Sequence, residues 1–316
     1  MKTISELTDF YYKELYPALQ ELEKDRKKIK KRFIIYSALY LIPLLFFVSI
    51  FFREWDLGNI TFLFIISTAG TGLIYKHLTK DYRAHFKQEI IDPLIHAIDT
   101  DLTYLPKSHI DTAVFNQSRL FTLRPDSLTG NDYVSGQLES VDIAFSDLTA
   151  KKSGKNDDDA TTIFQGLFIV ADFHKNFKGT TVILPDNAQK LFGDVVGNWL
   201  QANNSSRNQL IKMDNVAFEK EFVVYGTDQI EARYILTPSL MQKILNYKKR
   251  SQHPLYISFV NGKIHMAVSY NKDLFEPSLF HSLLEYKIAK EYFTTLHLAL
   301  GIVEDLKLNQ KLWSKI

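Results

Sequence analysis

Two apolar runs stand back to back near the start of the chain, Phe33 to Phe52 and Leu57 to Tyr75, and neither carries a charge. Only Arg53, Glu54, Trp55 and Asp56 separate them. Each run is close to the ~20 residues that an α-helix needs to cross the hydrocarbon core of a bilayer. The pattern predicts a transmembrane helical hairpin closed by a tight turn at 53–56. A buried hairpin in a soluble protein would seldom keep both runs free of charge. A cleaved signal peptide fits worse, because 32 mostly polar residues precede the first run and no small-residue cleavage site follows it.

On either side of the hairpin the pattern becomes amphipathic. Ile4, Leu7, Tyr11, Leu15, Ala18, Leu22 and Ile29 recur at helical steps, and Tyr82, Phe86, Ile90, Leu94, Ile98 and Leu102 recur every four residues. Thr3 and Glu6 suit a capping box. Pro17 and Pro93 predict a kink or restart in each helix. Two amphipathic helices leaving one hairpin on the same side are placed to pack as an antiparallel stalk.

From about Asp111 the texture turns strand-like. Ser118 to Leu123, Tyr133 to Phe145, Thr161 to Asp172 and Thr180 to Leu184 read as strands, and the polar tract Lys151 to Ala160 reads as a solvated hairpin loop. Ala188 to Leu200 reads as a helix, and Phe222 to Tyr225 and Glu231 to Leu236 as strands around Gly226. Thr237 caps a predicted helix from Pro238 to Lys249, with proline at its favoured first position. Leu255 to Val260 and Lys263 to Tyr270 flank Asn261-Gly262, a strong hairpin signal. A long amphipathic helix from about Pro277 to Leu306 ends the chain. The fold class expected is α+β: an N-terminal transmembrane hairpin with amphipathic flanking helices, then a cytoplasmic domain with an antiparallel sheet and a C-terminal helix. The expected organisation is residues 1–32 (amphipathic helix), 33–75 (hairpin, spans 33–52 and 57–75), 76–110 (stalk) and 111–316 (α+β domain).

Charge gives the hairpin a direction. Lys24, Arg26, Lys27, Lys28, Lys30, Lys31 and Arg32 precede the first span, and Lys76, Lys80 and Arg83 follow the second, against Arg53 alone in the turn. Short basic flanks stay cytoplasmic, so both termini are expected inside, with the protein in the inner or plasma membrane. Lys27, Lys28, Lys30, Lys31 and Arg32 are candidate contacts to anionic headgroups, at roughly 1 kcal/mol each. Residues 1–83 hold 13 basic and 9 acidic residues, leaving 25 basic and 27 acidic for the rest. That near-neutral remainder argues against a nucleic-acid surface. In the second span Thr68 and Gly72 lie four apart, a spacing that allows close helix approach, to the first span or to a second copy.

Candidate chemistry is sparse. The chain has no cysteine, which excludes disulfides, thiol catalysis and Cys-ligated metals. Phosphate-loop, dinucleotide, nucleophile-elbow and H-E-x-x-H motifs are missing, so no cofactor is expected. The histidines, His77 and His85 or His281 and His297 included, lack metal-site spacing. Asp172 and His174 would share one strand face and form a possible carboxylate–imidazole pair, although the adjoining residues read as a turn. Glu219 and Glu221 would share the face of an extended segment, most simply a solvated one.

Longer blocks carry a resemblance. Ile163 to Asp186, Phe218 to Leu245, Ile257 to Val268 and Asp273 to Tyr286, with Leu15-Tyr16-Pro17 and the hairpin, resemble a bacterial family of two-span membrane proteins catalogued as a domain of unknown function. The resemblance implies the architecture above and supplies no activity or catalytic residue. The expected function is a non-enzymatic, membrane-anchored interaction or scaffold module. Its partners are the lipid bilayer, another membrane or cytoplasmic protein, and a second copy of itself. The alternatives are a lipid-binding or membrane-sensing protein, and an enzyme of unrecognised type with a pocket near Asp172 and His174 that gathers Glu231 or Arg233.

Overall fold

The computed structural model describes residues 6, 9–51, 57–138, 140–154, 160–173, 177–186, 209–285, 290, 292–296 and 299–301. The capping box at Thr3, the 53–56 turn, residues 155–159 of the 151–160 tract, the 188–200 helix, His174 and His297 lie outside these residues. The chain forms two compact units. One is Met1–Ile98 with Phe275–Glu291, the other Asp99–Leu274 with Tyr292–Ile316.

The first unit is helical. Helix α1 (Tyr16–Phe51) follows a π-helical turn at Tyr11–Leu15, and α2 (Leu57–Phe86) runs into a second π-turn at Lys87–Ile91 and then α3 (Asp92–Ile98). Each π-turn closes on the residue just before a proline. The Tyr16 N–H bonds Tyr11 O, and the Asp92 N–H bonds Lys87 O. Pro17 and Pro93 cannot donate, and their rings crowd the carbonyl four residues back. The helices therefore widen by one residue instead of breaking.

α1 and α2 pack antiparallel. The Phe33 and Tyr75 rings meet edge-on at 5.7 Å, and the Tyr40 hydroxyl donates to Ile66 O at 2.9 Å. A methyl group on Gly70 would strike the Tyr40 ring, whereas Gly72 faces open space. The close approach thus falls at Gly70, about half a turn from each residue of the Thr68–Gly72 pair and so on a different face. Below the apolar runs, Tyr11, Leu15, Leu19 and Leu22 are buried on one side, and Tyr82, Phe86, Ile90 and Leu94 on the other.

The second unit is built on one antiparallel sheet. Its strands are β1 (Leu102–Leu105), β2 (Ser127–Leu138), β3 (Val141–Lys152), β4 (Thr161–Asp172), β5 (Thr180–Pro185), β6 (Gln209–Ile211), β7 (Phe222–Gly226), β8 (Leu255–Val260) and β9 (Lys263–Ser269). The spatial order is β1-β2-β3-β4-β9-β8-β5-β7-β6. β8 and β9 join through Asn261 and Gly262, both at positive φ (54° and 74°), the turn that an Asn-Gly pair favours. β2 bulges between Asn131 and Val134, where buried Asp132 (φ 57°) accepts the Tyr104 hydroxyl.

The central strands are buried on both faces. On one, Phe164, Phe168, Val182, Tyr256 and Ala267 meet Phe115 and Leu120. Phe115, in helix α4 (Thr112–Gln117), stacks on Phe121 at 5.3 Å, and Phe121 reaches Phe164 and Tyr256. On the other face Ile183, Ile257, Phe259 and Met266 are buried. Helix α5 (Val216–Glu219) precedes β7, α6 (Gln229–Ile235) follows it, and α7 (Pro238–Ser251) buries Leu240, Ile244, Leu245 and Tyr247. The Thr237 hydroxyl caps α7 by accepting the Leu240 amide at 3.3 Å.

Several local expectations are corrected. Ser118 to Leu123 is no strand: Arg119 takes φ 54° and the stretch lies over the sheet, so its apolar residues record burial, not pairing. Tyr133 to Phe145 is divided at Ser140 (φ 71°) between β2 and β3. Residues 229–235 are helical because the Asp228 carboxylate accepts the Ile230 and Glu231 amides as an N-cap. Glu219 ends a helix and Glu221 follows in a turn, so the two do not share a strand face. Residues 277–285 are not helical, although helical residues occur at 290, 292–296 and 299–301.

Candidate functional site

α1 and α2 are long and apolar enough to cross a membrane, and only 6% and 0% of their apolar stretches are buried by protein. Ile35, Leu39, Ile42, Phe46, Phe64 and Leu73 are exposed. A soluble core helix would cover such side chains.

Against the foot of these helices lies the segment from Phe275 to Glu285, held by polar groups at almost every step. Glu276 pairs with Lys87 at 2.8 Å and Arg83 at 3.3 Å. The Tyr82 hydroxyl donates to Ser278 O at 3.5 Å. The Ser278 hydroxyl accepts the Phe280 and His281 amides, forming a local turn. Arg26 donates twice to Glu23 (2.7 and 2.8 Å) and once to Leu279 O (2.7 Å), and Glu23 also accepts the Leu283 amide at 3.1 Å. Leu279 and Leu283 are buried between these contacts. The Arg26 hydrogen bonds hold the Glu23 carboxyl below its ordinary value, working against the cost of burial, with the Leu283 amide assisting. Arg26 is held above its own value by Glu23, and burial pushes the Tyr82 phenol up.

Beside this clamp Phe280 stays 52% exposed. Its ring stacks parallel to Tyr75 at 6.4 Å and meets Phe33 edge-on at 5.9 Å. The Arg83 guanidinium lies over the other aromatic neighbour, Tyr75, at 5.5 Å.

The basic run divides by role. Lys28 pairs with Asp25 at 3.0 Å and Lys27 lies 3.9 Å from Glu23, both largely exposed. Lys31 and Arg32 are exposed and Lys30 is half-buried. Arg26 turns inward instead. Its signal was in the pattern: it fills the gap between Leu22 and Ile29 on the apolar stripe of the first amphipathic helix.

The weak catalytic candidates separate. Asp172 ends β4 and pairs across the ladder with Lys263 at 3.4 Å. Glu231 accepts the Lys178 and Gly179 amides, both at 2.7 Å, and Arg233 donates to Lys212 O at 3.1 Å. Each ties α6 to a neighbouring loop. An open cavity of 320 Å³ lies at the other end of β4, lined by Phe164, Gln165, His253, Tyr270 and Asn271. It is about 23 Å along the strand from Asp172. There the His253 ring sits 4.2 Å from Tyr270, and burial, then Lys248 and Lys272, hold the imidazole below its usual value. No group of three metal-ligating side chains occurs among the described residues.

Fold and site together define an α+β protein with two long N-terminal apolar helices followed by an antiparallel-sheet domain. The family described as "Protein of unknown function (DUF3137)" matches residues 162–308, the stretch that holds the four blocks from Ile163 to Tyr286. No curated protein matches the chain. Among solved structures, the crystal structure of the mycobacterial trehalose monomycolate transport factor A, TtfA, is similar at 9% identity, covering 66% of this chain and 92% of that one, with a TM-score of 0.35.

Proposed function

We propose that the protein is a membrane-anchored interaction module: α1 and α2 span the inner or plasma membrane with both termini cytoplasmic, and the sheet unit engages a partner protein. What carries the anchor is the uncovered apolar surface of both helices, ending at a run of basic residues on the cytoplasmic side. The module reading is supported by large apolar side chains left exposed at one edge of the sheet. Leu210 on edge strand β6, Val216 on α5 and Ile230 on α6 are 54%, 71% and 83% exposed. All three belong to elements around β7, and β6 is the last strand of the sheet among the described residues.

The test places a photo-crosslinking residue at Ile230 or Val216 in the full chain, in native membranes. The same protein adduct from both positions, lost when Ile230→Asp is combined with the Val216 crosslinker, is the expected result. No adduct from either position overturns the module reading. A reporter fused after Ile316 tests orientation and should be active only in the cytoplasm.

A further inference from the structure

We propose that Phe280 is a third membrane contact: the 276–283 segment, far along the chain from the hairpin, seats its aromatic tip in the interfacial layer of the cytoplasmic leaflet. The inference rests on the reading of α1 and α2 as membrane spans.

Depth is set by the neighbours. Phe33 is the first residue of the first apolar run and Tyr75 the last of the second, so a ring packed on both lies at the boundary between hydrocarbon and headgroups. Phenylalanine is among the apolar residues that interfacial segments bury at the headgroup–acyl boundary. Phe280 nevertheless keeps half of its surface uncovered, where burial against the clamp would have been the default for a phenylalanine. The backbone beneath it is fixed from several directions, by Arg26 on Leu279 O, Tyr82 on Ser278 O and Glu23 on the Leu283 amide. The apolar tip is therefore presented, not merely left loose. Cations adjoin its two ring neighbours: Lys31 and Arg32 precede Phe33 and Lys76 follows Tyr75 in the chain, and Arg83 covers the Tyr75 ring. An apolar tip packed on rings that adjoin such cations matches the interface of an anionic leaflet, where each basic residue near the surface adds attraction.

The chain has no cysteine, so single-cysteine labelling of the full-length protein needs no background removal. His281→Cys, which keeps Phe280, carries an environment-sensitive fluorophore in vesicles of phosphatidylcholine and phosphatidylglycerol. Nitroxide lipids quench it from the headgroup or from near the end of the acyl chain. Leu39→Cys, in the middle of the first span, and Ile230→Cys, on the sheet unit, bracket the scale. The expected result is strong quenching at 281 by the headgroup nitroxide and weak quenching by the deep one, with most of the quenching lost in Phe280→Ser. Quenching at 281 no greater than at 230, with 39 still quenched from depth, overturns the proposal and leaves the anchor standing. A label at 39 that the deep nitroxide does not reach overturns the anchor itself. Quenching at 281 unchanged by Phe280→Ser removes the role assigned to that ring.

Discussion

The two units solve opposite problems with opposite materials. In the sheet unit, β4, β5 and β8 are buried on both faces, and cohesion comes from close-packed aromatic and aliphatic side chains such as Phe164, Phe168 and Tyr256. In the helical unit the segment 275–285 is fastened by Glu23, Arg26, Tyr82, Arg83, Lys87 and Glu276, with Leu279 and Leu283 filling between. Apolar packing rewards any arrangement that excludes water. Charged groups aimed at particular carbonyls and amides reward only one, so the clamp fixes register where smooth helices alone would allow sliding.

The contrast breaks first in the core. Phe168→Ala should cost the sheet unit about 4 kcal/mol, read by denaturant unfolding, and should leave exchange of the Leu283 amide unchanged. Acid separates the units next. His265 is buried in β9 with no hydrogen-bond partner on Nδ1 among the described residues, and burial, then Lys263, lowers its pKa to about 4. The folded imidazole is neutral, while the unfolded one takes a proton below its ordinary value of 6.5. The stability it contributes is thus full above that value and falls as pH drops towards 4, by about 3 kcal/mol. His265→Leu should flatten this slope. Glu23 has the same sign but a lower window: its contribution is present above 4.5 and lost only as pH falls through its lowered pKa. Hydrogen exchange followed from pH 7 downward should therefore show the sheet unit weakening before the clamp opens.

A third, smaller effect tests the clamp directly. Arg26→Ala should cost about 2 kcal/mol, the usual worth of hydrogen bonds to a charged group, through the loss of its bonds to Glu23 and Leu279. It should speed exchange at Leu283 with β4 and β9 unaffected. Arg26→Lys should recover little, since an ammonium cannot bridge both Glu23 oxygens and Leu279 O together. Smallest is Thr237→Ala, which should remove about 1 kcal/mol through the lost cap on α7, measured as a lower thermal midpoint of the sheet unit.

What the sequence disclosed followed how local the cause was. Two uncharged runs of membrane length, Asn261-Gly262 and Thr237-Pro238 each act locally, and the structure has two long apolar helices, a hairpin and a capped helix at these places. Ser118 to Leu123 misled because a segment lying across a sheet is as apolar as a strand within one. Leu279 and Leu283 imitated a helix because docking against helices imposes their spacing. The clamp was the least legible part. Arg26 meets Leu279 across 253 positions, and only its place on the apolar stripe between Leu22 and Ile29 sets it apart from its exposed lysine neighbours in the basic run. Of the catalytic candidates, Asp172 was placed on the correct strand, but its partner is Lys263, set by the β4–β9 register.

The π-turns beside Pro17 and Pro93 also have a meaning for how these helices change by mutation. Each is in effect a one-residue insertion, and it shifts the phase of everything beyond it by about 100°. Tyr11 on one side, and Leu94 and Ile95 on the other, are buried at or beyond these turns. Removing one residue from either turn would restore an ordinary helical repeat with those side chains on the same face, whereas winding the turn into a regular α-helix without a deletion would rotate them by about 100°. Length in these two short stretches is therefore constrained in one direction: a one-residue deletion there should be milder than a one-residue insertion, which adds a second offset of the same hand.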